Sequence, residues 1–224
     1  MPRFRRAQTN SKDNSSWRKL ERSTVVVTYR DGREVVDSRR AGEQTSHRQG
    51  DGLITRGTFG PILSTVVRDA LRSEMAWDRW EQGGSGTLAV FHYRVPQNQS
   101  HYWVAFQDFS IGKADSTPPT GYHGEIAIDP ATGTILRLTA LADQPLGSPI
   151  YRADVMVEYG PVEIGGKTYT CPLRSVSVSL REGSTDPFNP SAATPAPTLL
   201  NDVVLGPKHL VLAEQLRTFC TAKA

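Results

Sequence analysis

The sequence contains no run of about 18 apolar residues, the length that a helix needs to cross a membrane, so we predict that no segment spans one. The apolar segment of a secretory signal is missing as well. Residues 1–6 have the basic character of the start of such a signal, but the polar residues 7–14 follow them. As written, the sequence predicts a cytoplasmic protein, and a true N-terminus further upstream is the alternative.

Cysteine is also scarce. The chain has two, Cys171 and Cys220, which are 49 positions apart and belong to no C-x-x-C pair. This spacing argues against a redox motif or a zinc knuckle. A single long-range disulfide, which requires an oxidising compartment, and two unpaired thiols are both compatible with it. Unpaired thiols are the favoured interpretation.

Charge is low overall and unevenly distributed. The net charge is +3, but residues 1–50 hold 12 Lys/Arg and 6 Asp/Glu, whereas the remainder holds 14 and 17. Such a small excess gives no indication of a nucleic-acid partner. We predict a polar lead-in without regular structure over residues 1–22, a single domain over 23–216 and a tail over 217–224. A loop rich in proline, serine and alanine occupies 183–198.

The rest of the chain alternates between apolar and polar residues with the period of β-strands. Asp31-Gly32 and Gly165-Gly166 are hairpin signals, and residues 129–133 form a tight turn. Many hairpin-linked strands without intervening helices favour a meandering antiparallel sheet of about nine or ten strands, wide enough to curl.

The strand over residues 175–180 alternates serine with valine and leucine. This pattern predicts that Ser175, Ser177 and Ser179 lie on the outer face of the sheet.

One segment has helical periodicity instead. Thr58 can cap it and Pro61 fits its first turn, whereas Arg68, Asp69 and Arg72 are predicted on the solvent side. We expect a helix of about 14 residues whose apolar face is buried on the concave side of the sheet. That face comprises Phe59, Ile62, Leu63, Val66, Val67, Ala70 and Leu71.

Catalytic signatures are absent from the sequence. It contains no H-E-x-x-H, no Walker A loop and no G-x-G-x-x-G. Residues 83–87 fail the nucleophile-elbow pattern because Thr87 stands where the last glycine is required. We therefore predict a protein that is not an enzyme and has no cofactor.

Three histidines are the remaining candidates for chemistry. His92 and His101 can face each other across a hairpin, and with His123 they could form a three-imidazole metal site of a hydrolase. Polar residues on a partly solvated face are the favoured interpretation, because no acidic residue has an obvious spacing to orient the imidazoles.

Aromatic residues cluster between positions 77 and 109. They are Trp77, Trp80, Phe91, Tyr93, Trp103, Phe106 and Phe109. Such a cluster on neighbouring strands most often forms core, and a groove for an apolar ligand is the alternative. Stacking on nucleic-acid bases needs interleaved basic residues, and only Arg79 and Arg94 qualify.

Several segments resemble uncharacterised secreted proteins of acidobacterial type. These are WDRWEQGGSGTLAVFHYRVP (77–96), GYHGEIAIDPATGTILRL (121–138), VEYGPVEIGGKTYTCPLRSV (157–176) and LLNDVV (199–204). Their strand–turn–strand pattern is similar to the superfamily of outer-membrane lipoprotein carriers and insertases. The turn at 129–133 with the strand that follows it is the most characteristic piece. The chain departs from the carriers in having one clear helix where they have several, and in lacking a signal peptide.

This resemblance implies a mainly β (α+β) fold, in which a strongly curved antiparallel sheet forms an unclosed barrel with the helix on its concave face. It also implies a periplasmic, non-enzymatic envelope protein that binds acyl chains, a lipoprotein or another envelope protein between the sheet and the helix. A protein-interaction or sensor domain with a fully packed interior is the alternative. The predicted apolar groove comprises Phe59, Ile62, Leu63, Val66, Val67, Leu71, Trp77, Phe91, Tyr93 and Trp103.

Overall fold

The computed structural model describes the backbone of residues 3–9, 18–24, 26–30, 33–37, 61–84, 86–104, 107–108, 113–114, 119–146, 148, 150–181, 198–206 and 221–222. Side chains are described for 61–84, 86–104, 119–146, 148, 150–180 and 198–206. These residues form an antiparallel sheet that is not closed into a barrel, together with one α-helix. The predicted fold class, mainly β with one helix, is confirmed.

The helix α1 and fourteen strands follow one another in chain order. The strands are β1 Arg3–Thr9, β2 Arg18–Thr24, β3 Val26–Arg30, β4 Arg33–Asp37, β5 Glu74–Gln82, β6 Thr87–Val95, β7 Gln107–Asp108, β8 Lys113–Ala114, β9 Gly121–Ile128, β10 Ile135–Asp143, β11 Ile150–Ile164, β12 Lys167–Arg181, β13 Thr198–Val204 and β14 Thr221–Ala222. The helix α1 spans Pro61–Ala70, between β4 and β5, and a short 3-10 turn occupies Gln97–Gln99.

The main sheet has the strand order β2-β1-β13-β12-β11-β10-β9-β6-β5, and β14 pairs with the first part of β12. All of these neighbours are antiparallel. The seven strands from β13 to β5 have described side chains. The strands β3 and β4 form a separate hairpin, as the Asp31-Gly32 signal predicts, and β7 pairs with β8. Consecutive strands are mostly neighbours because short turns connect them.

The longest hairpin joins β11 and β12. Gly165 and Gly166 have φ angles of +59° and +76°, a backbone conformation that favours glycine, and Ile164 faces Lys167 across the turn. The prediction of a Gly-Gly turn is therefore confirmed. Both strands run for 15 residues, and their register shifts between Glu158 and Tyr159.

The helix α1 begins at Pro61, where the missing N–H costs no hydrogen bond. Its residues Ile62, Val66 and Ala70 are 8%, 0% and 1% exposed. They belong to one apolar cluster with side chains of β6, β9, β10 and β11, namely Tyr93, Val95, Tyr122, Ile126, Leu138, Ala140, Val155, Val157 and Tyr159. The sheet face that carries this cluster is called the helix-bearing face below.

The helix ends earlier than the periodicity predicts. Leu71 follows it and is 71% exposed, so its predicted place on the buried face is wrong. The amides of Arg72 and Ser73 donate to the carbonyls of Asp69 and Ala70, three residues back. This tighter turn ends the helix and leads the chain into β5.

The serines of β12 lie on the side opposite to the predicted one. Ser175, Ser177 and Ser179 are 2%, 3% and 6% exposed, so their placement on an outer face is wrong. The register sets Ser175 opposite Val157 and Ser177 opposite Val155, on the helix-bearing face. Alternation defines two faces of a strand but not which of them is buried, and here pairing with β11 decides it.

Cys171 on β12 is fully buried and disulfide-bonded. The favoured interpretation of two unpaired thiols is therefore wrong. The other cysteine of the sequence, Cys220, lies outside the described residues. Thr170, the residue before Cys171 on β12, pairs with Thr221 of β14. The spacing of the residues in the sequence cannot reveal this proximity.

Further predictions concern the start of the chain, the residues before α1 and the loop at 183–198. Residues 1–22 were expected to lack regular structure, whereas β1 and part of β2 lie within them and β1 pairs with β13. Thr58, Phe59 and the greater part of the 183–198 loop lie outside the described residues. In the part of the chain that is described, no helix is both long enough and apolar enough to cross a membrane.

Candidate functional site

The strand β5 exposes large apolar side chains at the end of the sheet order. Met75, Trp77 and Trp80 are 42%, 53% and 58% exposed, and the half-buried Phe91 of β6 lies opposite Trp77. The two indole rings are in edge contact, with centroids 6.3 Å apart. Met75, Trp77, Trp80 and Phe91 are called the aromatic surface below. Exposed apolar groups that adjoin one another in this way are typical of binding sites.

A β-bulge creates this surface. Residues three apart normally point to opposite faces of a strand, which would separate Trp77 from Trp80. The register with β6 shifts between Trp77 and Arg79, so Asp78 is an additional residue and both tryptophans point to the same face. Trp77 therefore lies opposite Phe91, and Trp80 lies opposite Ala89.

The aromatic surface lies on the helix-bearing face. Met75 is opposite Tyr93, a member of the cluster that contains Ile62 and Val66 of α1. Phe91 and Tyr93 are two positions apart on β6 and so share one face. The apolar side of the sheet thus continues past the part that α1 covers and reaches solvent at β5.

The predicted groove residues do not form one group. Ile62 and Val66 of α1 and Tyr93 of β6 are buried in direct contact within the core cluster, and Leu63 packs against its margin. Val67 is half buried. The structure thus packs this part of the helix directly onto the sheet. Trp77 and Phe91 form part of the aromatic surface.

The remaining groove residues lie elsewhere. Trp103 is 56% exposed in the loop after the 3-10 turn, outside any strand, and Leu71 is exposed beyond the end of α1. Phe59 lies outside the described residues, as do Phe106 and Phe109 of the aromatic cluster.

Ion pairs hold β5 from the opposite face. Arg79 donates to Glu125 on β9 at 2.8 Å and to Glu81 at 3.1 Å, and Arg137 on β10 donates to Glu81 at 2.6 Å. Hydrogen bonds from Arg137 lower the pKa of the Glu81 carboxyl to about 2. The hydrogen bonds that Arg79 donates to Glu125 and Asp78 raise the pKa of its guanidinium. The aromatic surface thus lies on a strand whose opposite face is tied by ion pairs to β9 and β10, two and three strands away in the sheet order.

A buried carboxylate links α1 to the sheet. Asp69 is 1% exposed, and its Oδ2 accepts from the backbone N–H of His101 at 2.8 Å and from the hydroxyl of Tyr122 at 3.0 Å. Its Oδ1 lies 2.8 Å from Nδ1 of His101. Burial by itself raises the pKa of the Asp69 carboxyl, but the hydrogen bonds from His101 and Tyr122 outweigh it, and the net direction is downward. The group is therefore ionised at neutral pH.

The three candidate histidines do not converge. His101 pairs with Asp69, and Nδ1 of His123 lies 2.7 Å from Oδ1 of Asp143. His92 lies on β6 opposite Glu125. Within the described ranges, no three side chains of His, Cys, Asp or Glu are placed to hold a metal ion. His101 and His123 do have the orienting carboxylates that the sequence spacing failed to indicate.

Sequence reasoning missed Asp69, which was predicted on the solvent side of the helix. That placement is wrong, because Asp69 lies at i+7 from Ile62 and i+3 from Val66, within the buried stripe. The spacing of Asp69 from Ile62 and Val66 in the sequence thus already indicates the buried side of the helix. An acidic residue is rarely buried without partners, and the partners here come from the loop after β6 and from β9.

Comparison with known proteins gives no relative. No protein-family model, no curated protein and no solved structure matches the chain.

Proposed function

We propose that the chain is a non-enzymatic binding protein of the bacterial envelope that takes an apolar ligand, such as an acyl chain or the lipid group of a lipoprotein, on its aromatic surface. The observation that carries this proposal is the exposure of Trp77 and Trp80, 53% and 58%, on an apolar face of the sheet. Removing such side chains from water yields about 25 cal/mol for each Å² of apolar area buried.

The position of the ligand follows from how α1 packs. Val66 is fully buried against the sheet, so an acyl chain between α1 and the sheet would have to separate side chains already in contact. The aromatic surface requires no such separation. The proposal therefore places the ligand beside the helix, on β5 and β6, where Trp77, Trp80 and Phe91 can contact it.

The disulfide at Cys171 supports an envelope location. Disulfides persist in oxidising compartments such as the bacterial periplasm and are rare in the cytoplasm. The resemblance of the sequence to periplasmic lipoprotein carriers leads to the same compartment.

Palmitate is a suitable probe for the apolar ligand. We expect it to change the tryptophan fluorescence of the protein saturably and to compete with a fluorescent fatty acid. The variants Trp77→Ala and Trp80→Ala should each weaken binding by about 10- to 150-fold, since a buried large apolar side chain contributes about 1.5–3 kcal/mol.

Trp103→Ala is the matched control, because Trp103 is 56% exposed but lies in a loop outside the aromatic surface. We expect it to bind palmitate like the wild type. If the wild type does not bind palmitate, or if Trp103→Ala weakens binding as much as Trp77→Ala, the proposal fails.

A further inference from the structure

One end of the main sheet gathers exposed apolar side chains. At this end β6 and β10 end, whereas β5, β9 and β11 begin. Four large apolar side chains outside the aromatic surface are exposed there, and they are called the apolar rim below. They are Leu71 (71%), Trp103 (56%), Leu146 (105%) and Tyr151 (54%). The first three lie on connections between elements, so the apolar rim is formed mainly by loops.

Hydrogen bonds hold these connections together. The hydroxyl of Ser73 donates to Oε1 of Gln99 at 2.9 Å, which joins the turn after α1 to the 3-10 turn. The amide of Thr120 donates to the carbonyl of Tyr102 at 3.0 Å, and its hydroxyl donates to the carbonyl of Asp143 at 2.9 Å. The connections are therefore joined to one another, and they present the apolar rim on one end of the molecule.

Two members of the apolar rim point away from the core. Tyr102 and Val104 pack into apolar clusters, so the side chain of Trp103 between them points to solvent. Leu146 lies in the connection from β10 to β11, where a backbone hydrogen bond closes a turn. Its side chain is fully exposed and contributes no burial to the fold. Both side chains are thus available to a partner without any rearrangement of the core.

The opposite end of the sheet is built differently. Three hairpin turns lie there, at 83–86, 129–134 and 164–167. Among the described residues of these turns, no large apolar side chain is exposed. Single exposed apolar residues are common on protein surfaces, whereas several that share one end of a molecule indicate an interaction surface.

Arginines surround the apolar rim. In each described arginine–aspartate pair at this end, the arginine side chain is the more exposed partner. These pairs are Arg68–Asp69 (48% and 1%), Arg94–Asp143 (69% and 34%) and Arg152–Asp154 (58% and 17%). Arg72 is exposed as well, and the exposed acid Glu74 lies opposite Arg94. The surroundings of the apolar rim therefore present mainly guanidinium groups to solvent.

We infer that the apolar rim docks on the surface of a phospholipid bilayer, with Leu146 and Trp103 buried among the lipid headgroups and the surrounding arginines beside the phosphates. Tryptophan and tyrosine favour this interface because their rings are apolar and carry a polar group that stays hydrated. Guanidinium groups bind phosphate oxygens, and anionic lipids attract them. A bilayer also accepts side chains that project from separate loops, because it needs no groove on the protein.

Sedimentation with sucrose-loaded vesicles tests the inference on the full chain. The vesicles consist of phosphatidylcholine alone, or of phosphatidylcholine and phosphatidylglycerol in equal parts. We expect the wild type to bind both, and the anionic vesicles more tightly. Leu146→Asn should weaken binding to both by about tenfold or more, since its side chain gains nothing from leaving water. Arg72→Gln should weaken binding to the anionic vesicles by roughly fivefold and to phosphatidylcholine much less.

Leu173→Asn is the matched control, because Leu173 is 38% exposed and lies beside the end of β13, at the opposite end of the sheet. It should bind vesicles like the wild type. A wild type that stays in the supernatant with both kinds of vesicle, or a Leu173→Asn variant that binds as weakly as Leu146→Asn, would overturn the inference. Unchanged binding of Leu146→Asn, or of Arg72→Gln to anionic vesicles, would do so as well.

Palmitate binding separates this inference from the proposed function, which concerns other residues. Leu146→Asn should bind palmitate like the wild type, and Trp77→Ala should bind vesicles like the wild type. A protein that binds palmitate but no vesicles overturns the docking and leaves the proposed function standing. One that binds vesicles through Leu146 but no palmitate supports the docking and overturns the proposed ligand. Vesicle binding that depends on Trp77 and not on Leu146 overturns the apolar rim as the contact surface.

Discussion

Gly124 in the middle of β9 allows the side chain of Tyr93 from β6 to extend over β9 to β10. It lies opposite Tyr93 of β6, whose hydroxyl donates to the carbonyl of Thr139 on β10 at 2.6 Å. A Cβ atom at position 124 would be 2.1 Å from that same carbonyl oxygen and 2.9 Å from the tyrosine hydroxyl. The absent side chain thus makes room for a hydrogen bond that joins β6 to β10 across β9.

We expect Gly124→Ala to lower the free energy of unfolding by about 1–3 kcal/mol, because a backbone carbonyl cannot rotate away from the added methyl group. Urea denaturation measures it. Gly84→Ala is the control, since a Cβ there would have no heavy atom within 4 Å, and it should change stability by less than about 1 kcal/mol. Equal stability of the two variants would contradict this account of Gly124.

Single residues show where sequence reasoning ends. The pattern of Ser175, Ser177 and Ser179 defines a face of β12 correctly, but polarity suggests the wrong one as exposed. His101 and His123 can be singled out from the sequence as candidate functional residues. Their partners Asp69 and Asp143 cannot, because they are 32 and 20 positions away. Such pairs depend on contacts that no local pattern contains.

At the scale of elements, Asp69 ties the helix α1 to its surroundings. The helix packs through few side chains, and its last turn is connected through Asp69 to the backbone and ring of His101 and to the hydroxyl of Tyr122. Hydrogen bonds to a charged group contribute more than those between neutral groups. Asp69 is therefore expected to matter more for the attachment of α1 than any exposed ion pair of the sheet.

Asp69→Asn should lower the free energy of unfolding at pH 7 by about 1.5–3 kcal/mol, since it removes the charge and keeps the shape. The folded pKa of Asp69 lies below its unfolded value of 3.8, so its contribution is present above pH 4 and is lost as pH falls through the folded pKa. The difference between wild type and variant should accordingly shrink below about pH 4.

Denaturation of both proteins from pH 7 to pH 3 measures this difference. Asp78→Asn is the control, because Asp78 is exposed and its ion pair with Arg79 should contribute no more than about 1 kcal/mol. A difference for Asp69→Asn that stays constant with pH would rule out the ionised carboxylate as its cause.

Local sequence patterns predict some structural elements of this chain and not others. The hairpin at Gly165-Gly166, the turn at 129–133 and the helix at Pro61 follow from residues close in sequence. The bulge at Asp78 does not, because it exists only relative to the register of β6. Without it, Trp77 and Trp80 would be assigned to opposite faces.

For the whole molecule, the disulfide at Cys171 constrains the unfolded chain. Disulfide bonds stabilise proteins by about 2–4 kcal/mol, chiefly by restricting the unfolded chain. We expect a reducing agent to lower the free energy of unfolding by this amount. Thiol titration in denaturant without reductant should find no free thiols, and two free thiols per chain would contradict the assignment.

The sequence by itself determined the class of the fold, because strand alternation, turn glycines and one helical stripe are local signals that many residues repeat. Tertiary structure decided which face of β12 is buried, where α1 ends against β5, and that Asp69 is an anchor inside the core. It also decided that Trp77 and Trp80 share one exposed face. These features depend on register and packing between distant segments, and a period along the chain does not encode which distant segment a residue will meet.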